Sequence, residues 1–279
     1  HAGIKTLTQE GAILMTEQIK QRQPLIELKD VTKTYHDGKR KDVLAVSNFN
    51  LTRYEGETLG LVGESGCGKS TIGNMLVHLF TPDEGSILFH GQDIASMNER
   101  EFHPLRKEIQ MVFQDPYSSL NPRKKIGWLL EEPLKIHRKD MKKEERKAKV
   151  EEILKEVGLD AEYANRYPKE LSGGQRQAMA LLMSTMTPIE FLILDEHTAA
   201  LDPKTAELIM ELTGKVVKEK KLTTIMVTHN LRYAVEYGNR ILMMHQGHAV
   251  LDKAGEEKAK LVVDDLLDQF NQISIECGN

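Results

Sequence analysis

The sequence has few cysteines, nearly balanced charge and no long apolar run. Its two cysteines, Cys67 and Cys277, lie far apart and form neither a disulfide framework nor a metal-binding spacing, which favours a reducing cytosol. With 38 Lys+Arg against 42 Asp+Glu, the net charge of −4 gives no reason to expect nucleic acid or an anionic membrane as a main ligand. No apolar run reaches the roughly 18 residues that predict a membrane-spanning helix.

The chain is long enough for one large domain, because it has 279 residues, of which 40% are hydrophobic. Alternating apolar and polar residues over 25–35 predict a half-buried strand. A charged stretch over about 128–158 has helical spacing, and residues 258–270 predict a terminal helix. We interpret the residues before about Leu25 as a leader or an added extension of low structural weight.

A glycine-rich loop, GESGCGKS, follows an apolar strand pattern and precedes a helical one. It fits the phosphate-binding pattern G-x-x-x-x-G-K-[ST] at every defined position, and the alternative is a chance glycine turn. Its glycines let backbone N–H groups face a phosphate, and the helix N-terminus adds partial positive charge. Lys69 can reach the β- and γ-phosphates, and the Ser70 hydroxyl can hold Mg²⁺. The candidate nucleotide-binding residues are Gly63, Ser65, Gly66, Gly68, Lys69, Ser70 and Thr71.

A second glycine motif, LSGGQRQ, precedes another helical stretch. Ser172 can be the N-cap of that helix or a phosphate ligand, and an ordinary capped helix start is the alternative. Because one phosphate loop already encloses one triphosphate, a second anion site suggests that it serves the nucleotide of another chain. The candidates are Ser172, Gly173, Gly174 and Gln175.

Two adjacent carboxylates, Asp195 and Glu196, end an apolar run in FLILDEHTAALDP. The ordered set GESGCGKS, LSGGQ, LILDE, LD and TH resembles the ATP-binding cassette (ABC) ATPases of ABC transporters over about residues 25–251. The resemblance implies an α/β fold with a P-loop NTPase core, a mixed sheet, an antiparallel β subdomain and an inserted helical subdomain. It also implies a cassette over 25–253, with helical residues about 115–180 and a C-terminal helix and tail over 254–279.

The resemblance assigns roles to single residues outside the phosphate loop. Tyr35 matches the aromatic that stacks on adenine, although a strand-end core aromatic is the alternative. Gln114, in MVFQDP, matches the glutamine that senses Mg²⁺ and the attacking water and links to the membrane subunits. Asp195 would hold Mg²⁺, and Glu196 matches the general base for attack on the γ-phosphate. His229 matches a histidine that contacts the γ-phosphate, although a lone strand-end histidine is more often structural.

The resemblance also implies partners and a location. Two cassettes pair head to tail, as a homo- or heterodimer, and each ATP lies between one phosphate loop and the other LSGGQ. Residues 200–202 match the loop that communicates across this dimer. Membrane permease subunits bind the dimer, which would place the chain in the cytoplasm at the inner face of the cell membrane. No nucleic-acid partner is expected.

The two halves of the sequence resemble different branches of this family. MVFQDPYSSLNPR is similar to the ATPases of oligopeptide and dipeptide importers, whereas the part from DEHTAALDPKTA onward looks more like another importer branch. We favour a recombined chain joined near LSGGQ over a natural divergent cassette. His197 stands where much of the family has proline, and we interpret it as a lineage variant.

The predicted function is ATP hydrolysis that powers import of peptides or related small solutes. One alternative is a soluble ABC ATPase without a membrane partner, although such proteins usually carry long insertions or two cassettes, and neither occurs here. Another is a recombined chain with no transport role.

Overall fold

The computed structural model describes residues 23–36, 42–115 and 120–276. The strands of these residues are β1 (Ile26–Tyr35), β2 (Val43–Arg53), β3 (Thr58–Gly63), β4 (Glu84–Phe89), β5 (Gln92–Asp93), β6 (Ile109–Val112), β7 (Phe191–Asp195), β8 (Thr223–Val227), β9 (Arg240–His245) and β10 (His248–Ala254). Their α-helices are α1 (Lys69–Leu76), α2 (Glu99–Phe102), α3 (Ile126–His137), α4 (Lys143–Glu156), α5 (Gly173–Ser184), α6 (Pro203–Lys220), α7 (Leu231–Tyr237), α8 (Gly255–Lys260) and α9 (Val263–Glu276). Short 3-10 turns precede β6 and α5.

A mixed sheet forms the centre of the fold, with the order β10-β9-β3-β8-β7-β6. Its strands are parallel except for β10, which pairs antiparallel with β9. Every residue of β7 and β8 is buried, as continuous apolar runs predict for parallel strands covered on both faces. The carboxyl ends of β3, β6, β7 and β8 therefore meet at one edge of the sheet.

A second, antiparallel sheet has the order β2-β1-β4-β5. Its first strand confirms the strand predicted from alternation over 25–35, since Ile26, Leu28 and Val31 are buried while Lys29 and Asp30 are exposed. The buried face joins the core cluster that also contains Leu59 and Ile72. This sheet is the antiparallel β subdomain that the resemblance implied.

The charged stretch over 128–158 forms two helices, α3 and α4, rather than loop. Their apolar residues, including Leu130, Leu134, Ile153 and Leu154, share one core cluster with α5. The chain turns between them, where Arg138 bonds Asp140 and the Glu145 carboxylate caps the backbone N–H of Lys142. The predicted boundaries of the helical subdomain, about 115–180, stay a prediction, and the helices α3 to α5 occupy most of that range.

The C-terminal part differs from the prediction of one helix over 258–270. The structure has two helices, α8 and α9, separated at Leu261 and Val262, because the Asp265 carboxylate accepts the backbone N–H of Val262 and begins a new helix there. Leu266 of α9 is buried in a cluster with Ala234 and Ile241. Residues 1–22, to which the leader interpretation mainly applies, lie outside the described residues.

Candidate active site

The phosphate loop joins β3 to α1 at the carboxyl edge of the central sheet. Gly68 is the N-cap of α1 with φ of 102°, a conformation that disfavours side chains. A Cβ at this position would also lie 2.1 Å from the carbonyl oxygen of Ala45. Only glycine can therefore bring the backbone into this turn and present the N-terminus of α1 to an anion.

Lys69 is buried, with 3% of its surface exposed, and its ammonium group lies within the loop. Its Nζ donates hydrogen bonds to the carbonyl oxygens of Gly63, at 2.9 Å, and Glu64, at 2.7 Å. Cys67 Sγ lies 3.7 Å from the same Nζ. Burial raises the pKa of the Cys67 thiol, although Lys69 opposes this shift, so the thiol stays neutral and contributes no reactive thiolate.

Ser70 and Asp195 meet across the junction of α1 and β7. Ser70 Oγ donates a hydrogen bond to Asp195 Oδ1 at 2.9 Å, and Asp195 is 8% exposed. Burial raises the pKa of Asp195, while the hydrogen bond from Ser70 opposes that shift. A hydroxyl and a carboxylate are hard oxygen donors that fit Mg²⁺, which usually takes one or two carboxylates and completes its shell with phosphates and water. Among the described residues, no group of three or more His, Cys, Asp or Glu side chains is placed to hold a metal ion.

Glu196 and His229 form a close pair beside Asp195. His229 Nε2 lies 2.5 Å from Glu196 Oε1, and the Glu196 side chain is 11% exposed against 43% for His229. The pair arises from strand register, since Asp195 of β7 lies opposite Val227 of β8 and the two residues follow these strand ends. Glu196 has φ of 47°, and its N–H donates to the carbonyl of Val227 at 2.9 Å, which fixes this sparsely populated backbone conformation.

Tyr35 and Gln114 lie at two sides of this group. The Tyr35 hydroxyl donates to Thr71 Oγ1 at 3.4 Å, and the ring packs edge-on against Phe80 with the ring centroids 6.0 Å apart. Gln114 is exposed and follows β6, whose Val112 lies opposite Leu194, next to Asp195. Tyr35 thus contacts the helix that follows the phosphate loop, and Gln114 follows the end of β6. Phe80 is a ring contact that the motifs did not predict.

The LSGGQ motif lies at the start of α5, where two of its side chains accept backbone N–H groups of the motif. Ser172 Oγ accepts the backbone N–H of Gln175 at 3.2 Å, and Gln175 Oε1 accepts that of Ser172 at 2.9 Å, which is a capping box. Gly174 is buried, and a Cβ there would lie 2.4 Å from Thr205 Cγ2 at the start of α6. The lack of a side chain at Gly174 therefore allows α5 and α6 to pack closely, which the sequence pattern alone did not reveal.

Two further contacts near the site were also missed from sequence. Gln177 is completely buried, and its Nε2 donates to the carbonyl of Phe113 at 3.3 Å, which connects α5 to the segment that carries Gln114. His197 is buried and its Nε2 lies 3.1 Å from Thr213 Oγ1 of α6. A buried polar residue gives no periodic signal in a single sequence, so its partner can be found only from the structure.

These groups can position a triphosphate and a water molecule for phosphoryl transfer. Lys69 and the N-terminus of α1 favour phosphate charge, Ser70 and Asp195 offer oxygen ligands, and Glu196 with His229 offers proton acceptance and orientation. The loop, the parallel sheet and this group of residues define a P-loop NTPase. The chain belongs to the ABC transporter family, whose model, described as "ABC transporter", matches residues 46–199.

Curated relatives with the family's ATP-binding role match most of the chain. A putative oligopeptide transport ATP-binding protein, YkfD of Bacillus subtilis, is 39% identical over 227 residues, covering 81% of this chain and 69% of that protein. The oligopeptide transport ATP-binding protein OppF of Streptococcus mutans is 39% identical, covering 85% of this chain and 76% of that protein. The oligopeptide transport ATP-binding protein OppF of Escherichia coli is 36% identical, covering 82% of this chain and 71% of that protein.

Solved structures share the fold. The ATP-binding cassette MJ0796, in a dimeric post-hydrolysis state bound to ADP and Pi, has a TM-score of 0.73 and 34% identity, covering 82% of this chain and 98% of that chain. CbiO1 of Clostridium perfringens, part of the transporter complex cbiONQ, has a TM-score of 0.72 over 91% of this chain at 24% identity, which shows the fold alone. The chain is therefore an ABC ATPase that binds and hydrolyses ATP. None of the described helices is long and apolar enough to cross a membrane.

Proposed function

We propose that this ABC ATPase powers the import of oligopeptides or related small solutes. The observation that carries the proposal is the identity of 36–41% to several oligopeptide transport ATP-binding proteins, each matched over at least 80% of this chain. The motif MVFQDPYSSLNPR supports the same branch. A soluble ABC ATPase without a membrane partner is less favoured, because these relatives carry oligopeptide transport names.

The test is reconstitution with the permease subunits of an oligopeptide importer in lipid vesicles. We expect the chain to bind the vesicles through those subunits and to drive ATP-dependent uptake of a labelled oligopeptide. Absence of binding, together with ATPase activity that DNA or ribosomes stimulate, would favour the soluble alternative. The proposed location is thus the cytoplasmic face of the membrane, where permease subunits recruit the chain.

The site residues have proposed roles that follow their geometry. Ser70, Gln114 and Asp195 would hold Mg²⁺, which neutralises phosphate charge when bound. Glu196 would accept a proton from the attacking water, and His229 would orient it and contact the γ-phosphate. Tyr35 would stack on adenine at the mouth of the loop.

Replacing Glu196 by glutamine tests the base directly. Glutamine keeps the volume and can still contact His229, but it cannot accept the proton, so we expect kcat to fall about 100-fold or more with ATP binding retained. The matched control is Glu256→Gln, an exposed residue of α8, which should leave turnover unchanged. Steady-state phosphate release measures both variants, and unchanged turnover in Glu196→Gln would remove Glu196 from the base role.

The proposed dimer is head to tail, with Ser172, Gly173, Gly174 and Gln175 of one chain on the nucleotide of the other. The exposed position of Ser172 and the dimeric state of MJ0796 support this arrangement. Sedimentation of the Glu196→Gln chain with and without ATP measures it, since blocked hydrolysis should preserve the closed dimer. A chain that stays monomeric with ATP bound would point to a heterodimer with a second cassette.

The domain limits and the recombination hypothesis are also proposals. We assign the cassette to 25–253 and the C-terminal helices and tail to 254–279. An aligned stretch of 227 residues in this chain must include everything from about residue 54 to about residue 226, which spans the proposed junction near LSGGQ. One branch can therefore account for both halves, and recombination stays a prediction that stability measurements can test.

A further inference from the structure

The ring of Tyr35, at the end of β1, is contacted at two places along the helix that follows the phosphate loop. Its hydroxyl donates to Thr71 Oγ1 in the first turn of α1, at 3.4 Å. Its ring meets the ring of Phe80, with the centroids 6.0 Å apart and the planes at 86° to each other. This edge-to-face arrangement is one of the two that aromatic pairs favour. Phe80 therefore touches the ring that is proposed to stack on adenine.

The turn at the end of α1 brings Phe80 to this position. The backbone N–H groups of His78 and Leu79 donate to carbonyl oxygens of the last turn of α1, at 3.1 and 2.9 Å, which is a Schellman motif. His78 has the left-handed φ of 59° that this motif requires. Its imidazole stacks on the buried ring of Phe102, with the centroids 4.5 Å apart, and this contact stabilises the turn. The chain thus reverses after α1, and Phe80 lies on the returning segment.

The returning segment is attached to β1 immediately beside Tyr35. The N–H of Asp83 donates to the carbonyl of Thr32 at 2.8 Å. The Asp83 carboxylate accepts the N–H of Thr34 at 2.7 Å, and Thr34 is the residue before Tyr35. Phe80 is thus held between two fixed points, the turn at the end of α1 and the bonds of Asp83 to β1.

We propose that Phe80 is a positioning residue for the nucleotide base and acts through Tyr35. Stacking needs two parallel, offset rings, so a Tyr35 ring that turned freely would have to be ordered each time a nucleotide binds. The contacts with Thr71 and Phe80 order the ring beforehand and leave 37% of Tyr35 exposed to a purine. This inference rests on the proposed role of Tyr35 and is independent of which solute is imported.

The test is calorimetric titration of the full chain with ADP and with pyrophosphate, which has the same two phosphates and no base. Phe80→Ala removes the ring contact, so we expect ADP affinity to fall about threefold to tenfold while pyrophosphate affinity is unchanged. Phe80→Tyr keeps the ring and should keep ADP affinity within about twofold. The matched control is Leu79→Ala, an exposed apolar neighbour, which should alter neither affinity.

Two outcomes of these titrations overturn the proposal. Unchanged ADP affinity in Phe80→Ala would show that the contact does not help to bind the base. An equal loss for ADP and pyrophosphate would show that Phe80 acts on the phosphate loop instead.

A double-mutant cycle with Tyr35→Ala separates this inference from the proposed role of Tyr35. If Phe80 acts through Tyr35, the double variant should bind ADP no more weakly than Tyr35→Ala alone. Losses that add would show that Phe80 contacts the nucleotide itself, which overturns the positioning role. Unchanged ADP affinity in Tyr35→Ala would refute the stacking role of Tyr35, and this inference would fail with it. A loss in Tyr35→Ala without a loss in Phe80→Ala would refute the positioning role alone.

Discussion

His197 is a buried histidine immediately after the proposed base, and burial lowers its pKa from the ordinary 6.5 to about 4. Thr213 donates its own proton to Ile209, so it must accept from His197 Nε2, and the imidazole is neutral with its proton on that atom. The residue is therefore a structural link between the end of β7 and α6.

The depressed pKa of His197 predicts a stability that depends on pH. The unfolded imidazole takes up a proton below pH 6.5, whereas the folded one resists until about pH 4, so stability is full above 6.5 and is lost as pH falls between these values. We expect His197 to account for a loss of about 2 kcal/mol between pH 7.5 and pH 5. Urea unfolding of the nucleotide-free chain at several pH values measures it.

The matched variants for this prediction are His197→Gln and His248→Gln. Glutamine at 197 can still donate to Thr213 but does not titrate, so its unfolding free energy should vary less with pH by that amount. His248 is exposed on β10, and its replacement should leave the pH profile as it was. Equal profiles for all three chains would contradict the buried, neutral state of His197.

At this scale the sequence predicted which residues lie close together, and their catalytic and binding roles stay predictions. The phosphate loop, Asp195, Glu196 and His229 each lie at or just after the carboxyl end of an apolar strand pattern. They come together because parallel strands place their carboxyl ends at the same edge of the sheet. The partners of His197 and Gln177 could not be predicted, because a hydrogen bond between residues distant in sequence leaves no periodic trace.

At the scale of elements, α5 connects the LSGGQ motif to the segment of Gln114. A hydrogen bond from the Gln177 side chain to the Phe113 carbonyl joins residues 64 positions apart in the sequence. A movement of α5 upon dimer closure would therefore change the position of Gln114. We infer that Gln177 is a positioning residue rather than a catalytic one.

Replacing Gln177 by leucine tests this connection. Leucine removes the bond to Phe113 but also removes a buried Oε1 that has no partner among the described residues, so the net stability change should be within about 1 kcal/mol. We expect kcat to fall about fivefold to tenfold while KM for ATP is unchanged, because no nucleotide contact is lost. Met179→Leu, a buried volume-conserving change on the same helix, should alter neither.

Element boundaries were less predictable than element types. The terminal helix was predicted as one, yet capping by Asp265 divides it. Leu266 of α9 is buried, whereas α8 has no buried residue. Helix α1 ends at Leu76, although the apolar pattern continues to Phe80. His78 has φ of 59°, a left-handed conformation that no sequence pattern demanded.

At the scale of the whole molecule, the two larger core clusters of the described residues share the strands of one sheet. On β7, Phe191 and Ile193 belong to one cluster while Leu192 and Leu194 belong to the other. The strand also pairs with β6, which lies on the other side of the proposed junction in sequence. The halves of the chain therefore interleave rather than meet at a flat boundary.

Because the halves interleave, we expect the chain to unfold in one cooperative transition. The substitution Leu192→Ala tests this expectation. The change should lower the unfolding free energy by about 3 kcal/mol, because it leaves a cavity between sheet and helices. Fluorescence of Trp128, the one tryptophan of the sequence, and far-UV circular dichroism should give coincident transitions before and after the change. An earlier fluorescence transition in the unchanged chain would indicate a poorly fitted junction and support recombination.

The absence of clearance at Gly174 has a mechanical consequence. Thr205 occupies the space that any side chain at 174 would need, and Thr205 lies in the first turn of α6, capped by Asp202. Because Gly174 and Thr205 are in close contact, a shift of the first turn of α5 toward α6 must displace the first turn of α6 as well. If the nucleotide of another chain displaced Ser172, the displacement would reach residues 200–202, which begin four positions after Glu196. This route does not involve the phosphate loop.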